Sequence, residues 1–157
     1  MHKKHDYNIT VKWTGNEGTG TSNYKAYNRG HTIVKEGKAD ILGSSDPAFL
    51  GDPEKHNPEE LLVASVSSCH MLWFLHLAVK AGVIVTAYED RATGNMEEDP
   101  EGGGRFTEIV LHPRVTVTEA SMCSNLKALH HEANRLCFIA NSCNFPIRHE
   151  PVCEIEN

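Results

Sequence analysis

Apolar and polar residues alternate at the start of the chain. Tyr7, Ile9, Val11 and Trp13 fall on one face with polar residues between them, and this period of two predicts a half-buried strand. Further short strand-like segments follow at 24–27, 31–34 and 39–42. Glu36-Gly37 has the composition of a tight hairpin turn between the last two segments. The first third of the chain is therefore predicted to be a β-meander.

A complete helix start follows the meander. Asn57 can cap the helix, Pro58 suits its first position, and Glu60 is spaced to close a capping box with Asn57. This spacing leaves Glu59 without a capping role. Gly82 supplies a left-handed stop, so the sequence predicts a long helix from Pro58 to about residue 81.

Apolar residues surround this helix almost completely, which indicates burial on nearly every side. They are Leu61, Leu62, Val63, Val66, Met71, Leu72, Trp73, Phe74, Leu75, Leu77 and Val79. Because one small subunit can hardly cover such a helix, we expect a homodimer that wraps its central helices.

The second half of the chain predicts a further hairpin and a further helix. Segments 83–96 and 105–118 read as strands joined by a polar, glycine-rich tip. A helical stripe then runs through Met122, Leu126, Leu129, Ala133, Leu136 and Ala140, with Cys137 at its edge. The tail 145–155 contains two prolines and suits an edge strand. Residues 1–157 are thus predicted to form a single α+β domain, with antiparallel sheets around two central helices.

Composition narrows the classes of function. The net charge of −6 does not suit binding to nucleic acids or acidic membranes, which require a basic surface. We therefore expect a small, uncharged molecule as partner. The N-terminal segment has no signal-like apolar region, and the longest clean apolar run, 71–75, is too short to span a bilayer. These features predict a cytoplasmic protein. Five cysteines in a reducing compartment favour redox chemistry or metal binding over structural crosslinks.

Two cysteines lie at helical core positions. Cys69 is in the middle of the apolar helix, and Cys137 closes the second one. A reactive cysteine needs thiolate character, and Cys69 is too far into its helix for the N-terminal dipole to help. A cation must therefore be supplied. His70 is one step round the helix and points away, and His76 lies two turns on, roughly on the same face. Each is expected to be a core histidine rather than a catalytic one, and Arg29 in the loop-like YNRGH is the better candidate.

The stretch NPEELLVASVSSCH resembles the first active-site motif of the OsmC/Ohr family of thiol-dependent hydroperoxide reductases. The similarity includes an arginine in the N-terminal strand region, a cysteine ten positions after Glu59, and a second cysteine in the later helix. It implies an intertwined homodimer with active sites at the subunit interface. It also implies that Cys69 is the peroxidatic cysteine, Cys137 the resolving one, and Glu59 the residue that holds Arg29 against the thiolate.

The resemblance implies a peroxidase that needs no cofactor or metal. The Cys69 thiolate would attack a hydroperoxide and become a sulfenic acid, Cys137 would form a disulfide with it, and an external thiol would reduce that bond. The reductant would be a lipoyl protein, a thioredoxin or a small thiol. The apolar surface around Leu72, Trp73 and Phe74 favours organic hydroperoxides as substrates.

Other interpretations of the same residues stay open. Cys137, Cys143, His149 and Cys153 are four soft ligands in a short tail, although they lack the paired spacing of structural zinc sites. The fold could instead serve as a binding or redox-sensing module for an apolar ligand. Cys143 could compete as the resolving thiol. Cys123 and Cys153 receive no role, and His56 and His130 are predicted to lie on the surface.

Overall fold

Three antiparallel strands make the first sheet, in the order β1-β2-β3. Their bounds are Thr10–Trp13 for β1, His31–Val34 for β2 and Ile41–Gly43 for β3. The predicted turn between β2 and β3 is present, with Gly37 at a positive φ of 76°. The predicted strand at 24–27 is wrong, because this segment forms turns and only Tyr27 makes an isolated bridge, to Asn16.

The computed structural model describes residues 3–156, and the chain divides into two compact units, one up to Leu61 and one from Leu62 onward. The first sheet lies in the first unit. The second unit holds two more three-stranded sheets and a second helix.

The first helix, α1, runs over Pro58–Lys80. The predicted capping box is confirmed: the Glu60 amide donates to Asn57 Oδ1 at 2.8 Å, and the Asn57 amide donates to Glu60 Oε2 at 3.2 Å. Gly82 follows with φ of 70°, where a residue without a Cβ adopts the left-handed conformation without strain. Local sequence alone therefore determines both ends of α1.

Within one chain, α1 buries a single face. Four residues at steps of four, Val66, His70, Phe74 and Ala78, are buried, whereas Leu72 and Val79 are 63% and 78% exposed. The single chain therefore does not cover the helix on nearly every side. By length and composition α1 could cross a membrane, with a mean hydropathy of 1.6 over its most apolar window, and core helices meet the same criterion.

The long predicted hairpin is confirmed, but it is divided between two sheets. The strands are β4 (Val85–Asp90), β5 (Thr93–Glu98), β6 (Gly104–Leu111) and β7 (Pro113–Val117). β5 pairs with β6 and β4 pairs with β7, both antiparallel. The two tail strands, β8 (Ile147–His149) and β9 (Val152–Ile155), then add to β6 and β7 in parallel.

The prediction of purely antiparallel sheets is therefore wrong. The tail runs in the same direction as the adjoining β6–β7 segment, so each tail strand joins its sheet as a parallel edge. The resulting sheets have the orders β5-β6-β8 and β4-β7-β9. The prediction of an α+β fold with an edge strand at the end of the chain is confirmed.

The second helix, α2, runs over Cys123–Leu136 and buries a stripe slightly rotated from the predicted one. Leu126, His130, Ala133 and Cys137 are buried. His130 is thus a core residue, and its predicted surface position is wrong. It lies four residues after Leu126 and three before Ala133, so the helical repeat itself contained the signal.

Three histidines meet in the core of the second unit. His70 Nε2 of α1 lies 2.9 Å from His130 Nδ1 of α2, and both rings are fully buried. The His130 ring stacks on Phe74 with centroids 4.0 Å apart. The His149 ring lies 5.6 Å from that of His70. His70 Nδ1 and His130 Nε2 have no hydrogen-bond partner among the described residues.

Burial keeps these histidines neutral. It lowers the pKa of His70 to about 4, with a smaller contribution from the charge of His149. Burial also lowers the pKa of His130 to about 3, and the charges of His70 and His149 add to the effect. Among the described residues these imidazoles are paired with each other and with no carboxylate, so the folded state disfavours the charged form.

We predict that Asn57→Ala destabilises the protein by about 1–2 kcal/mol, because it removes the acceptor for the Glu60 amide at a nearly buried position. Urea unfolding followed by circular dichroism measures the change. Asn125→Ala, at an exposed position in α2, is the control and should change stability little. Equal midpoints for Asn57→Ala and the unaltered protein would contradict the capping role.

We also predict that stability falls as the pH drops below about 6.5. Unfolded histidines take up protons there, whereas folded His70 and His130 do so only near pH 4 and 3. Each can contribute up to about 1.4 kcal/mol per pH unit. Urea unfolding between about pH 7 and 5, above most carboxylate titration, measures the slope.

In this series His130→Gln should make the slope clearly shallower, since one buried imidazole no longer titrates. His5→Gln, which removes an exposed imidazole, should leave the slope unchanged. If His130→Gln retains the full pH dependence, the buried pair is not its source.

Candidate functional site

Cys69 lies at the edge of the buried face of α1 and opens onto a groove. It is a free, half-buried thiol, one residue before the fully buried His70. One residue turns about 100° around a helix. The contact with His130 that buries His70 therefore leaves Cys69 at the edge of the buried face, beside the groove. Cys69 is therefore partly accessible and lines the groove.

The Cys69 groove has a volume of about 530 Å³ and mostly apolar walls. Leu72, Trp73 and His76 contribute from α1, and Phe138 and Ile139 contribute from the segment that follows α2. The Trp73 ring meets the edge of Phe138 with centroids 5.6 Å apart. The groove is within the size range of small-molecule sites and suits an apolar ligand.

Two of the three predicted apolar groove residues line this surface. Leu72 and Trp73 do so, whereas Phe74 is fully buried in the core behind α1. Phe74 is five residues from Cys69 and therefore lies well round the helix from it. Phe138, an exposed aromatic directly after Cys137, lines the groove but was not predicted from the sequence to do so.

Cys137 is a free thiol with no exposed surface, next to Cys69. It ends α2, and its sulfur accepts a hydrogen bond from the Ala140 amide at 3.4 Å. Burial raises the pKa of Cys137 to about 11; the Ala140 amide opposes this, and the hydrogen bond and charge of Cys69 add to it. At neutral pH Cys137 is therefore a protonated thiol that lies beside Cys69 and is closed to solvent.

The polar residues around Cys69 are mostly bound elsewhere. The Ser67 hydroxyl donates to Asp90, and His70 is bound to His130. Ser68 donates back to the Ser65 carbonyl at 3.2 Å. Of the two histidines considered as cations for Cys69, His76 lines the groove and His70 does not.

Arg29 lies in the first unit, in the loop before β2. Its guanidinium donates to the carbonyls of Tyr27 and Tyr24, at 2.5 and 2.7 Å. It also lies over both tyrosine rings, 4.2 and 4.4 Å from their centroids. These contacts hold a half-buried cation in a defined position, and its role towards Cys69 stays a prediction.

Glu59 is half-buried in the first turn of α1 and, within residues 3–156, makes no ion pair. Glu60 carries the capping bond, so the carboxylate of Glu59 is free for another partner. Its predicted contact with an arginine stays a prediction.

The remaining three cysteines have different surroundings. Cys143 is a free thiol that donates to the Ile139 carbonyl at 3.3 Å, so it faces the wall behind the groove. Cys123 and Cys153 form a disulfide with Cα atoms 5.7 Å apart. This pair was not predicted, because the two cysteines are 30 residues apart in sequence and the pairing of β9 with β7 brings them together.

The disulfide also removes one ligand from the proposed metal site. With Cys153 bound to Cys123, the four tail residues cannot act together. Within the described part of the chain, no group of three or more histidine, cysteine or acidic side chains could hold a metal ion. The geometry therefore gives the metal interpretation no support.

Known structures resemble this chain over almost its whole length. An OsmC-like protein of unknown function from Vibrio cholerae is 32% identical, with a TM-score of 0.85, and the match covers 95% of this chain and all of that one. An organic hydroperoxide resistance protein OsmC from Legionella pneumophila is 17% identical, with a TM-score of 0.66 and coverage of 96% and 99%.

A third match is an organic hydroperoxide resistance protein from Elizabethkingia anophelis, with thiocyanate bound. It is 17% identical with a TM-score of 0.68, and the match covers 98% of this chain and all of that one. At this identity the last two matches show the fold alone. No curated protein matches the sequence.

A family model described as "OsmC-like protein" matches residues 51–151, which include α1, Cys69 and Cys137. Together with the 32% identity to the OsmC-like protein of Vibrio cholerae, this match places the motif, the two helices and the mixed sheets in one known fold. The chain belongs to the OsmC-like protein family.

Proposed function

We propose that this protein is a thiol-dependent peroxidase that reduces organic hydroperoxides to alcohols through Cys69 and Cys137. The observation that carries the proposal is the unequal access of two neighbouring thiols: Cys69 opens onto an apolar groove, and Cys137 is fully buried beside it. A substrate in the groove meets only Cys69. A sulfenic acid formed there meets Cys137 before it meets an external thiol.

The proposed cycle begins when the Cys69 thiolate attacks the distal oxygen of ROOH. The O–O bond breaks, RO⁻ takes up a proton and leaves as the alcohol, and Cys69 becomes a sulfenic acid. Cys137 then attacks the Cys69 sulfur, and its thiol proton leaves with the hydroxyl group as water. Two equivalents of an external thiol reduce the resulting disulfide.

The groove favours a hydroperoxide with an apolar substituent. Leu72, Trp73 and Phe138 surround the approach to Cys69, and burying a hydrocarbon group against them contributes about 25 cal/mol per Å². Hydrogen peroxide gains nothing from these contacts. Two structurally similar proteins are described as organic hydroperoxide resistance proteins, which agrees with this choice of substrate.

Arg29 and Glu59 complete the proposal. Arg29 would stabilise the Cys69 thiolate and the oxyanion that develops on the substrate, and Glu59 would orient its guanidinium. Glu59 is not used by the capping box, and Arg29 is held by two carbonyls and two aromatic rings. Both residues are thus free of carboxylate–guanidinium pairs within the described chain.

We further propose that the working form is a cytoplasmic homodimer of single-domain subunits. The apolar face of the N-terminal segment is exposed, with Ile9, Val11 and Trp13 at 66%, 59% and 46%, and so is much of α1. Such surfaces mark an interface with a partner. A second copy would cover them and would explain a helix that is apolar all round.

We predict that Cys69→Ser lowers peroxidase activity with cumene hydroperoxide and a dithiol by on the order of 10³ or more. Cys137→Ala should retain the first turnover and release the alcohol, but Cys69 should then accumulate as sulfenic acid, which a dimedone adduct detects by mass spectrometry. Cys143→Ser is the matched control and should retain full turnover. If it abolishes turnover instead, Cys143 is the resolving thiol.

A titration separates the enzyme from a binding module. One equivalent of cumene hydroperoxide should remove the Cys69 and Cys137 thiols rapidly and leave the Cys143 thiol. A module that only binds an apolar ligand would keep all three. Full peroxidase activity in the Cys69→Ser variant would contradict the proposal that Cys69 reacts with the hydroperoxide.

Arg29→Met should slow the alkylation of Cys69 by iodoacetamide at neutral pH roughly tenfold, because the proposed cation that stabilises the Cys69 thiolate is lost. Arg91→Met, which removes an exposed arginine paired with Glu89, is the control and should leave the rate unchanged. Glu59→Gln should give a smaller decrease. If Cys69 of the Arg29→Met variant is alkylated at the original rate, Arg29 does not stabilise the thiolate and is only a loop residue.

A further inference from the structure

A second cysteine pair lies outside the Cys69 groove. Cys123 is the first residue of α2 and Cys153 lies in β9, and their disulfide joins the helix to the edge of the β4-β7-β9 sheet. The Cα separation of 5.7 Å is typical of a disulfide. Neither cysteine takes part in the proposed peroxidase cycle.

The disulfide lies in the wall of a cavity of about 310 Å³, which we call the disulfide cavity. Lys127, His149 and Pro151 also line it. Both cysteines are half-buried, unlike the fully buried Cys137. A small molecule in the disulfide cavity can therefore approach the S–S bond directly.

The groups around the disulfide favour the departure of Cys123. Lys127 is one helical turn after Cys123 on the same face of α2, and within residues 3–156 it makes no ion pair. A helix start and a nearby ammonium both stabilise a thiolate. A cysteine that is stable as a thiolate is the better leaving group in thiol–disulfide exchange.

His149 also lines the disulfide cavity. Its ring lies 5.6 Å from the ring of His70 and 6.1 Å from the ring of His130, so this wall of the cavity borders the buried histidine pair. The preference for a ligand therefore rests on the accessible disulfide and on Lys127.

We propose that Cys123–Cys153 is a second thiol–disulfide exchange site, which reacts with a small anionic thiol. The thiolate of the incoming RSH attacks the sulfur of Cys153, the S–S bond breaks, and Cys123 leaves as a thiolate next to Lys127. A second thiolate then attacks the mixed disulfide and releases RSSR and the Cys153 thiolate, which takes up a proton from water. Two electrons pass from two thiols to the protein.

Carboxylates on the thiol would be attracted to Lys127, which gives the site its preference for an anionic reductant. In a reducing compartment a disulfide persists only if it resists reduction or cycles. Its position in the wall of a cavity, with a cation beside one sulfur, favours cycling. Reduction would also detach β9 from α2 without breaking the pairing of β9 with β7.

The test uses glutathione and the full chain with Cys69→Ser, Cys137→Ala and Cys143→Ser, so that peroxidase chemistry is absent. The protein is equilibrated with mixtures of reduced and oxidised glutathione. Exchange is quenched with an alkylating agent, and the mass of the protein is measured by mass spectrometry. We expect reversible appearance of two thiols while circular dichroism shows a folded protein. Partial reaction should place glutathione on Cys153 and the alkyl group on Cys123.

A disulfide that stays oxidised until urea unfolds the chain would overturn the proposal and leave a structural crosslink. Absence of the disulfide in oxidised protein would overturn it as well. If the triple variant does not fold, the unaltered protein with its accessible free thiols alkylated beforehand allows the same measurement. Either result is independent of whether Cys69 reduces hydroperoxides.

The role of Lys127 has its own control. Lys127→Gln should slow reduction by glutathione about threefold or more and slow reduction by uncharged 2-mercaptoethanol less. Lys80→Gln, at the exposed end of α1, removes the same charge elsewhere and should change neither rate. Equal slowing by both lysine variants would show a general charge effect and contradict a specific site.

Discussion

The contact between His70 and His130 determines how the rest of the second unit is arranged. It holds one face of α1 against one face of α2, inside a core where both imidazoles are neutral. Cys69 precedes His70 by one residue and so reaches the rim of the groove. Cys137 follows His130 by seven residues, about two turns, and so lies on the same side of α2. One buried hydrogen bond thus sets the rotation of both helices that carry the candidate thiols.

The same packing separates two environments for sulfur. Cys137 is sealed in the core, and burial raises its pKa to about 11. Cys69 faces an apolar groove, where a bound molecule can displace water. The other pair, Cys123 and Cys153, lies where α2 begins and meets the edge of a sheet. Cys137 therefore ends α2 beside Cys69, and Cys123 begins α2 bonded to Cys153. Cys69 lines one cavity, and Cys123 and Cys153 line another.

Local patterns predicted much of the fold correctly. The capping box, the glycine stop after α1, the first hairpin and the long hairpin all depend on neighbours in sequence, and the structure contains each of them. Two errors were local: the strand predicted at 24–27 forms turns, and His130 lies on the buried stripe of α2. The other errors concern pairing between distant segments. The parallel pairing of β8 and β9 and the Cys123–Cys153 bond depend on how the tail returns to strands made much earlier.

By itself, the sequence determined that a long apolar helix carries a cysteine in a family motif, that a second helix ends in another cysteine, and that Glu60 rather than Glu59 closes the cap. These features follow from helical repeat and capping chemistry, which act over a few residues. Only the tertiary structure decided which thiol is exposed and that Phe138 rather than Phe74 borders Cys69. Exposure is a property of the packed chain, because it depends on which faces two helices present to each other.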